Sequence, residues 1–306
     1  MSGYQWKRHW QGLFWGMIVA IAASTSARLH AQIDVDFKLA KSTYIAHEPV
    51  VGVLSIVNRA GRDLVLSGKN GQSWLDFRVV DGQGRMVTPS ANALPPKPII
   101  LKAGQLYKKK VVINQTYPMG RIGLYRVKPT VNLSQINRVF TTAKNVTATI
   151  VEGQKMWEQT FGVPRGYDGE GTFREYALVT QHQGNRQKSL YLKLTDVSSG
   201  LVRKVYPIGD YMGIRPPEKI VNRENKLHVF HMSGPKSFVY SIIGVDGVPI
   251  EQQVYVVKGS STPSMVTNAA GDIAVIGGMT LEESRETYES REFRNISERP
   301  PGLPNL

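Results

Sequence analysis

The feature that most restricts this chain is a period of two in its apolar residues. Ile33, Val35, Phe37 and Leu39 fall on one side of an extended segment, and Asp34, Asp36 and Lys38 fall on the other, as in a half-buried strand. Leu75, Phe77 and Val79 alternate with Asp76 and Arg78 in the same way. Tyr107, Val111 and Ile113 share one face; Tyr125 and Val127 point inward while Arg126 and Lys128 point outward. Pro49 to Asn58 is apolar on both faces, the pattern of a central strand. Val146 to Val151 closes the set. Turn signals separate these runs: Arg59-Ala60-Gly61, Asp81-Gly82, Pro95-Pro96, Ala103-Gly104 and Pro118-Met119-Gly120. Residues 32–152 therefore read as about seven strands with turns between them, which predicts an immunoglobulin-like β-sandwich.

Particular residues strengthen that reading. Tyr44, then Glu48-Pro49-Val50-Val51-Gly52-Val53-Leu54-Ser55-Ile56-Val57-Asn58, then Ala103-Gly104 and Gly123-Leu124-Tyr125-Arg126-Val127, together resemble bacterial exported immunoglobulin-like domains of macroglobulin or proteinase-inhibitor type. The Gly-x-Tyr-x-Val element resembles a tyrosine corner, which implies a buried ring and a hydroxyl bonded to nearby backbone. Val127 stands where an antibody domain has its second cysteine, and strand parity sets Trp74 on the face away from the core. Sandwiches of this kind host many roles, so the resemblance speaks to fold more than to function.

The rest of the chain reads as a second antiparallel β module with an internal repeat. Glu175 to Val179 lies over Lys226 to Phe230, and Lys188 to Leu192 lies over Lys236 to Tyr240. Ser198-Ser199-Gly200 and Asp246-Gly247 are equivalent turns, followed by Val202 to Ile208 and Val254 to Val257. Asp272 to Gly278 begins a fragment of a third copy, at an offset of 46–51 residues. This period suits propeller-like blades, but two and a half blades cannot close a ring. Residues 174–278 are therefore expected to form a blade-like stack, a sandwich, or part of a ring made with partners. Residues 153–173, with Trp157 and three glycines, read as a linker in which Trp157 anchors one domain on the other. Residues 279–306 read as a charged, Pro-rich, disordered tail, although Glu282 to Asn295 could form a short surface helix.

Residues 1–31 carry an address. A basic start (Lys7, Arg8, His9), the apolar run Gly12 to Ala23 and a short polar segment make the layout of a secretory signal peptide, cut after Ala31 or alternatively Ala27. The chain has no cysteine. That removes disulfide scaffolds, thiolate metal sites, a catalytic thiol and a lipobox anchor, and in an exported protein it favours a bacterial periplasmic or extracellular setting. No later segment is apolar enough to span a bilayer as a helix.

Charge is unevenly placed. Without Lys7, Arg8 and Arg28 the chain has 35 basic and 24 acidic residues, a net charge of +11. Residues 82–151 hold eleven basic residues and no acid, which accounts for the whole excess. The functional reading is attraction to an anionic polymer or another envelope component through Lys108, Lys109, Lys110, Arg126 and Lys128. The plainer reading is a surface kept soluble. Aromatic residues are not interleaved with these bases as a base-stacking platform requires, so specific nucleic-acid binding is not expected. Because Lys108 and Lys110 lie on one strand and Arg126 and Lys128 on another, the charges are expected to wrap the domain.

Chemistry is sparse. His228 and His231 are three apart on a predicted strand and face opposite sides, so they cannot share a metal. Ser233-x-x-Lys236 lacks the helix start and the Ser-Asp-Asn element of a penicillin-binding site. Asp34 and Asp36 lack the further ligands of a calcium loop; Asp168 and Glu170 are a slightly better calcium pair. No phosphate loop, nucleophile elbow, zinc-protease helix or cofactor motif is present. The sequence predicts a non-catalytic exported binding or structural protein, with other proteins as possible partners of the second module. One alternative is a proteinase-inhibitor-like module using the loop Ser90 to Pro98. A second is a hydrolase using acids such as Asp168, Glu170 and Glu175.

Overall fold

A computed structural model describes residues 33–68, 72–91, 94–183 and 187–294. The expected signal peptide lies outside the described residues. The fold is all-β, in two modules.

The first module runs through β1 (Ile33–Leu39), β2 (Thr43–Ile45), β3 (Val51–Asn58), β4 (Leu64–Leu66) and β5 (Leu75–Val80). It continues with β6 (Ile99–Leu101), β7 (Leu106–Val112), β8 (Gly123–Leu133), β9 (Arg138–Thr141) and β10 (Val146–Val151). One sheet has the order β1-β3-β7; the facing sheet has the order β2-β10-β8-β5, with β9 also on β8. The alternation in β1 is realised as expected, Ile33, Val35 and Phe37 buried and Asp34, Asp36 and Lys38 exposed. Between the sheets lie Tyr44, Leu54, Ile56, Val79, Val127 and Ile150. Trp74 corrects the parity argument. It is fully buried in this core, with its indole N–H donating to Lys97 O at 3.0 Å. It precedes β5 in a bend tied by Ser73, so the alternation of the strand does not extend to it.

The second module begins earlier than the repeat suggested. Gln154 to Gly162 is not part of a linker but a strand, β11, paired along its length with β12 (Phe173–Gln183). Its side chains are mostly exposed because it is the edge of its sheet, so its sequence carries no apolar alternation. The connection between the modules is only Glu152 and Gly153. Trp157 packs on the core of the second module, not between domains. The sheet continues through β13 (Gln187–Asp196) and β14 (Val202–Tyr211), in the order β11-β12-β13-β14. A second meander follows: β15 (Glu218–Val221), β16 (Leu227–Gly234), β17 (Ser237–Ile243) and β18 (Pro249–Val256). The third copy is a half: the hairpin β19 (Ser264–Thr267) and β20 (Ile273–Ile276). After it β21 (Met279–Thr280) returns to β18.

The disordered tail expected for residues 279–306 is corrected over its first part, where the short helix allowed for Glu282 to Asn295 is present. Leu281–Arg294 is a helix, opened by a reciprocal cap in which Thr280 N–H donates to Glu283 Oε2 (2.8 Å) and Glu283 N–H donates to Thr280 Oγ1 (3.2 Å). Residues 295–306 lie outside the described set.

The layers stack in order. Tyr176, Leu178, Leu192, Ile208, Leu227 and Val229 fill the space between the two meanders. The far face of the second meander carries Phe230, Phe238 and Tyr240 and is covered by Met265 and Val275 of the hairpin. The near face of the first carries Ala177, Val179, Tyr191 and Val205, and Ile45 of the sandwich packs into it. At that joint Lys41 Nζ lies 2.6 Å from Glu48 Oε1 and 2.7 Å from the Tyr191 hydroxyl. Gly153 is required there. Its φ is +78°, and a Cβ would fall 2.6 Å from Val179 Cγ1.

Candidate functional site: a cationic sheet face

The sheet β2-β10-β8-β5 turns its inward residues, Val79, Tyr125 and Val127, to the core. Its outward residues are then fixed by register. Arg78 stands directly opposite Lys128, and Val80 opposite Arg126. Thr147 lies on the other side of Arg126, and Thr149 opposite Leu124. Beyond Val80 the bridge to Met86 extends the same row. Arg78, Arg126 and Lys128 therefore share one face on neighbouring strands. Directly opposed side chains in an antiparallel pair lie about 5 Å apart, and like charges placed so are destabilising. None of the three makes an ion pair among the described residues. The carboxylate on the adjoining row, Asp76, is engaged by the Tyr117 hydroxyl, and burial together with that carboxylate pushes the phenol well above its ordinary range.

The face is held by a tyrosine corner. The Tyr125 ring is buried and its hydroxyl donates to Arg121 O at 3.0 Å, which fixes the entry of β8. Burial raises the Tyr125 phenol.

The five cations singled out from the sequence do not form one site. Lys108 and Lys110 project from the outward face of the other sheet, in rows with Ser55 and Asp36 and with Val53 and Lys38. The acids on that face are paired with other cations: Asp36 lies 3.6 Å from Lys38, and Asp34 lies 3.5 Å from Arg59. Lys109 has the opposite parity, half-buried on the side of Tyr107 and Val111, where it lines a groove of about 820 Å³. Strand β7 is also a sheet edge, and a run of three lysines there blocks pairing with another chain. Arg126 and Lys128 remain, and the structure joins Arg78 to them. Sequence reasoning passed over Arg78 because charge was counted along the chain; the outward parity of Arg78 on β5 was the available signal.

Other candidates are accounted for by packing. His231 faces the first meander, and His228 faces away from it toward the Tyr240 hydroxyl (2.7 Å), as the spacing required. Asp168 is paired with Arg203 at 2.7 Å and Glu170 with Arg165 at 3.6 Å, and Glu175 pairs across strands with Thr195. Asp168 and Glu170 lie in the β11–β12 loop, which Arg174 ties down through the Asp168 carbonyl, the Val245 carbonyl (3.1 Å) and Asp196 (3.1 Å). Ser233 sits on β16 with its hydroxyl 3.2 Å from that of Ser237. Among the described residues no three His, Asp or Glu side chains gather as metal ligands, and no helix is long and apolar enough to cross a membrane.

No family model and no curated protein matches the chain. Among solved structures it is similar to Spo0M, a sporulation control protein from Bacillus subtilis, at 8% identity over 86% of this chain and 96% of that one, with a TM-score of 0.27. It is also similar to the periplasmic chaperone SfaE, at 11% identity over 72% of this chain and 97% of that one, with a TM-score of 0.23. At such scores neither likeness bears on function.

Proposed function

We propose that this chain is a non-catalytic, exported protein of a bacterial cell envelope that binds an anionic envelope component through its immunoglobulin-like module. The observation that carries the reading is the cluster Arg78, Arg126 and Lys128, set on one sheet face and making no ion pair among the described residues. Three cations brought together at a cost in mutual repulsion are suited to an external polyanion. Lys108 and Lys110, on the opposite sheet, add long-range attraction. Binding to a soluble polyanion such as polyphosphate should weaken steeply as salt rises. Arg78→Gln with Lys128→Gln should weaken it more than Lys108→Gln with Lys110→Gln. Equal effects of the two pairs, or no binding at low salt, would refute the reading. N-terminal sequencing of the exported protein should begin at Gln32, or at Arg28 if the alternative cut is used; an intact Met1 would contradict export by a cleaved signal.

One feature favours a second reading. Leu94 is almost fully exposed in the proline-rich segment before β6, as a residue presented to a protease cleft would be. Inhibition of a panel of serine and metalloproteases, lost in Leu94→Gly, would establish the inhibitor alternative.

A further inference from the structure

The cationic face continues into exposed apolar side chains at one end, and this narrows the class of anionic partner. Leu124 precedes Arg126 by two residues on the same face of β8 and is 40% exposed. Met86, in the row of Arg126 and Val80, is 57% exposed, and Ile122, two residues before Leu124, is 62% exposed. Beside Met86 opens a cleft of about 540 Å³ lined by His47, Asp81, Arg85, Arg121 and Tyr125. Asp81 neutralises Arg85 at 2.9 Å, and Arg121 makes no ion pair among the described residues. We infer that this end of the sandwich docks on an anionic lipid surface, with Ile122 and Leu124 entering the acyl boundary, Met86 beside Arg126 in the headgroup layer, and the cations meeting headgroup phosphates. The inference rests on the anionic-component reading and specifies that component.

A soluble polyanion is satisfied by the cations alone and offers nothing to three large apolar side chains. A lipid surface supplies both an apolar medium and negative charge. The spacing also fits. Two residues of strand span about 6.8 Å, so Arg126 lies about 7 Å and Lys128 about 14 Å behind Leu124. The headgroup layer on each side of a bilayer is about 5–8 Å thick. With Leu124 at the acyl boundary, Arg126 lies at headgroup depth and Lys128 just outside it, where the surface potential still acts.

The test is co-sedimentation of the exported protein with vesicles of phosphatidylglycerol and phosphatidylcholine, with phosphatidylcholine vesicles and soluble polyphosphate as the other arms. Wild type should bind the anionic vesicles and not the neutral ones. The triple variant Met86→Ser, Ile122→Ser, Leu124→Ser should bind anionic vesicles at least tenfold more weakly and polyphosphate within about twofold of wild type. Arg126→Gln with Lys128→Gln should lose roughly 30-fold on vesicles, about fivefold per cation. In case the triple variant folds poorly, Ile122→Trp provides a second readout. Its emission should shift to the blue with anionic vesicles relative to the parent chain. Vesicle binding that the serine substitutions leave intact, or polyphosphate binding with no vesicle binding, overturns the lipid inference and leaves the anionic-component reading standing. Binding to neither overturns both.

Discussion

His231 allows a quantitative test of the packing between the two meanders. The ring is 2% exposed and faces β14, with the Tyr211 ring centroid at 6.3 Å. A Cβ on Gly209 would fall 3.0 Å from His231 Nε2, so the histidine fits only because glycine stands opposite it, at φ +146°. No well-formed hydrogen bond reaches either ring nitrogen, and the backbone at Asp210 offers only weak compensation. Burial therefore pushes the imidazole down to about 4 from its ordinary 6.5. Between those two pH values the unfolded chain holds a proton that the native chain refuses. Stability must fall on acidification through that window and return as pH rises. At 1.36 kcal/mol per pH unit the full loss is about 3 kcal/mol, of which about 2 kcal/mol is expressed by pH 5. The assay is urea unfolding at pH 7.5 and pH 5.0 for wild type and for His231→Phe, a ring of similar shape that does not titrate. Taking the difference between the two proteins cancels the other titrating groups, including His228, whose burial also lowers it. Wild type should lose about 2 kcal/mol more than the variant over this interval. Equal losses would show that His231 is protonated in the native state and that the contact with Gly209 is open to water.

Three further outcomes test other contacts. Tyr125→Phe should cost about 1 kcal/mol by leaving the Arg121 carbonyl without its donor, and Tyr125→Ala about 3–5 kcal/mol; thermal melts showing no change in either would mean that the corner does not hold β8. Asp196→Ala removes the carboxylate shared by Arg174 and by Arg203 (2.6 Å). It should cost about 3–5 kcal/mol, because Arg174 is buried; a loss under about 1 kcal/mol by urea unfolding would show that the Asp168 and Val245 carbonyls suffice. Glu48→Ala leaves the Lys41 ammonium and the Ile45 N–H without the carboxylate that holds them at 2.6 and 2.9 Å. It should lower the unfolding midpoint and speed proteolysis near Gly153, and unchanged cleavage there would refute a role at the joint.

The sandwich was legible wherever one face of a strand is buried and the other wet. Strand β1 shows this in its cleanest form, and the Tyr125 corner could be read from three residues because its chemistry is local. The two meanders were legible through β12, β13, β16 and β17, which are central strands and carry most of the apolar residues. Strand β11 was not, since an edge strand buries little and Trp157 and Phe161 alone do not make a period. Trp74 was misplaced because parity was extended past the end of a strand. The cationic site was half legible. Outward parity gave Arg126 and Lys128, but the partner at Arg78 depends on which strand lies beside β8, and that pairing joins residues about fifty apart in the chain.

The same topology explains how two and a half blades persist without closing a ring. A propeller blade is apolar on both faces, and a ring leaves none of those faces wet because each blade covers the next. Here the first meander would expose Ala177, Val179, Tyr191 and Val205, and the second would expose Phe230, Phe238 and Tyr240. The sandwich takes the place of a preceding blade through Ile45 and the Lys41–Glu48 pair, and the β19–β20 hairpin takes the place of a following one through Met265 and Val275. The hairpin can stop at two strands because β21 leaves it to pair with β18, extending the covered sheet instead of completing an uncovered one. The two modules are thus parts of one stack. The cationic face belongs to the sheet whose first strand, β2, carries Ile45 into the joint, so its position is set by the blades behind it.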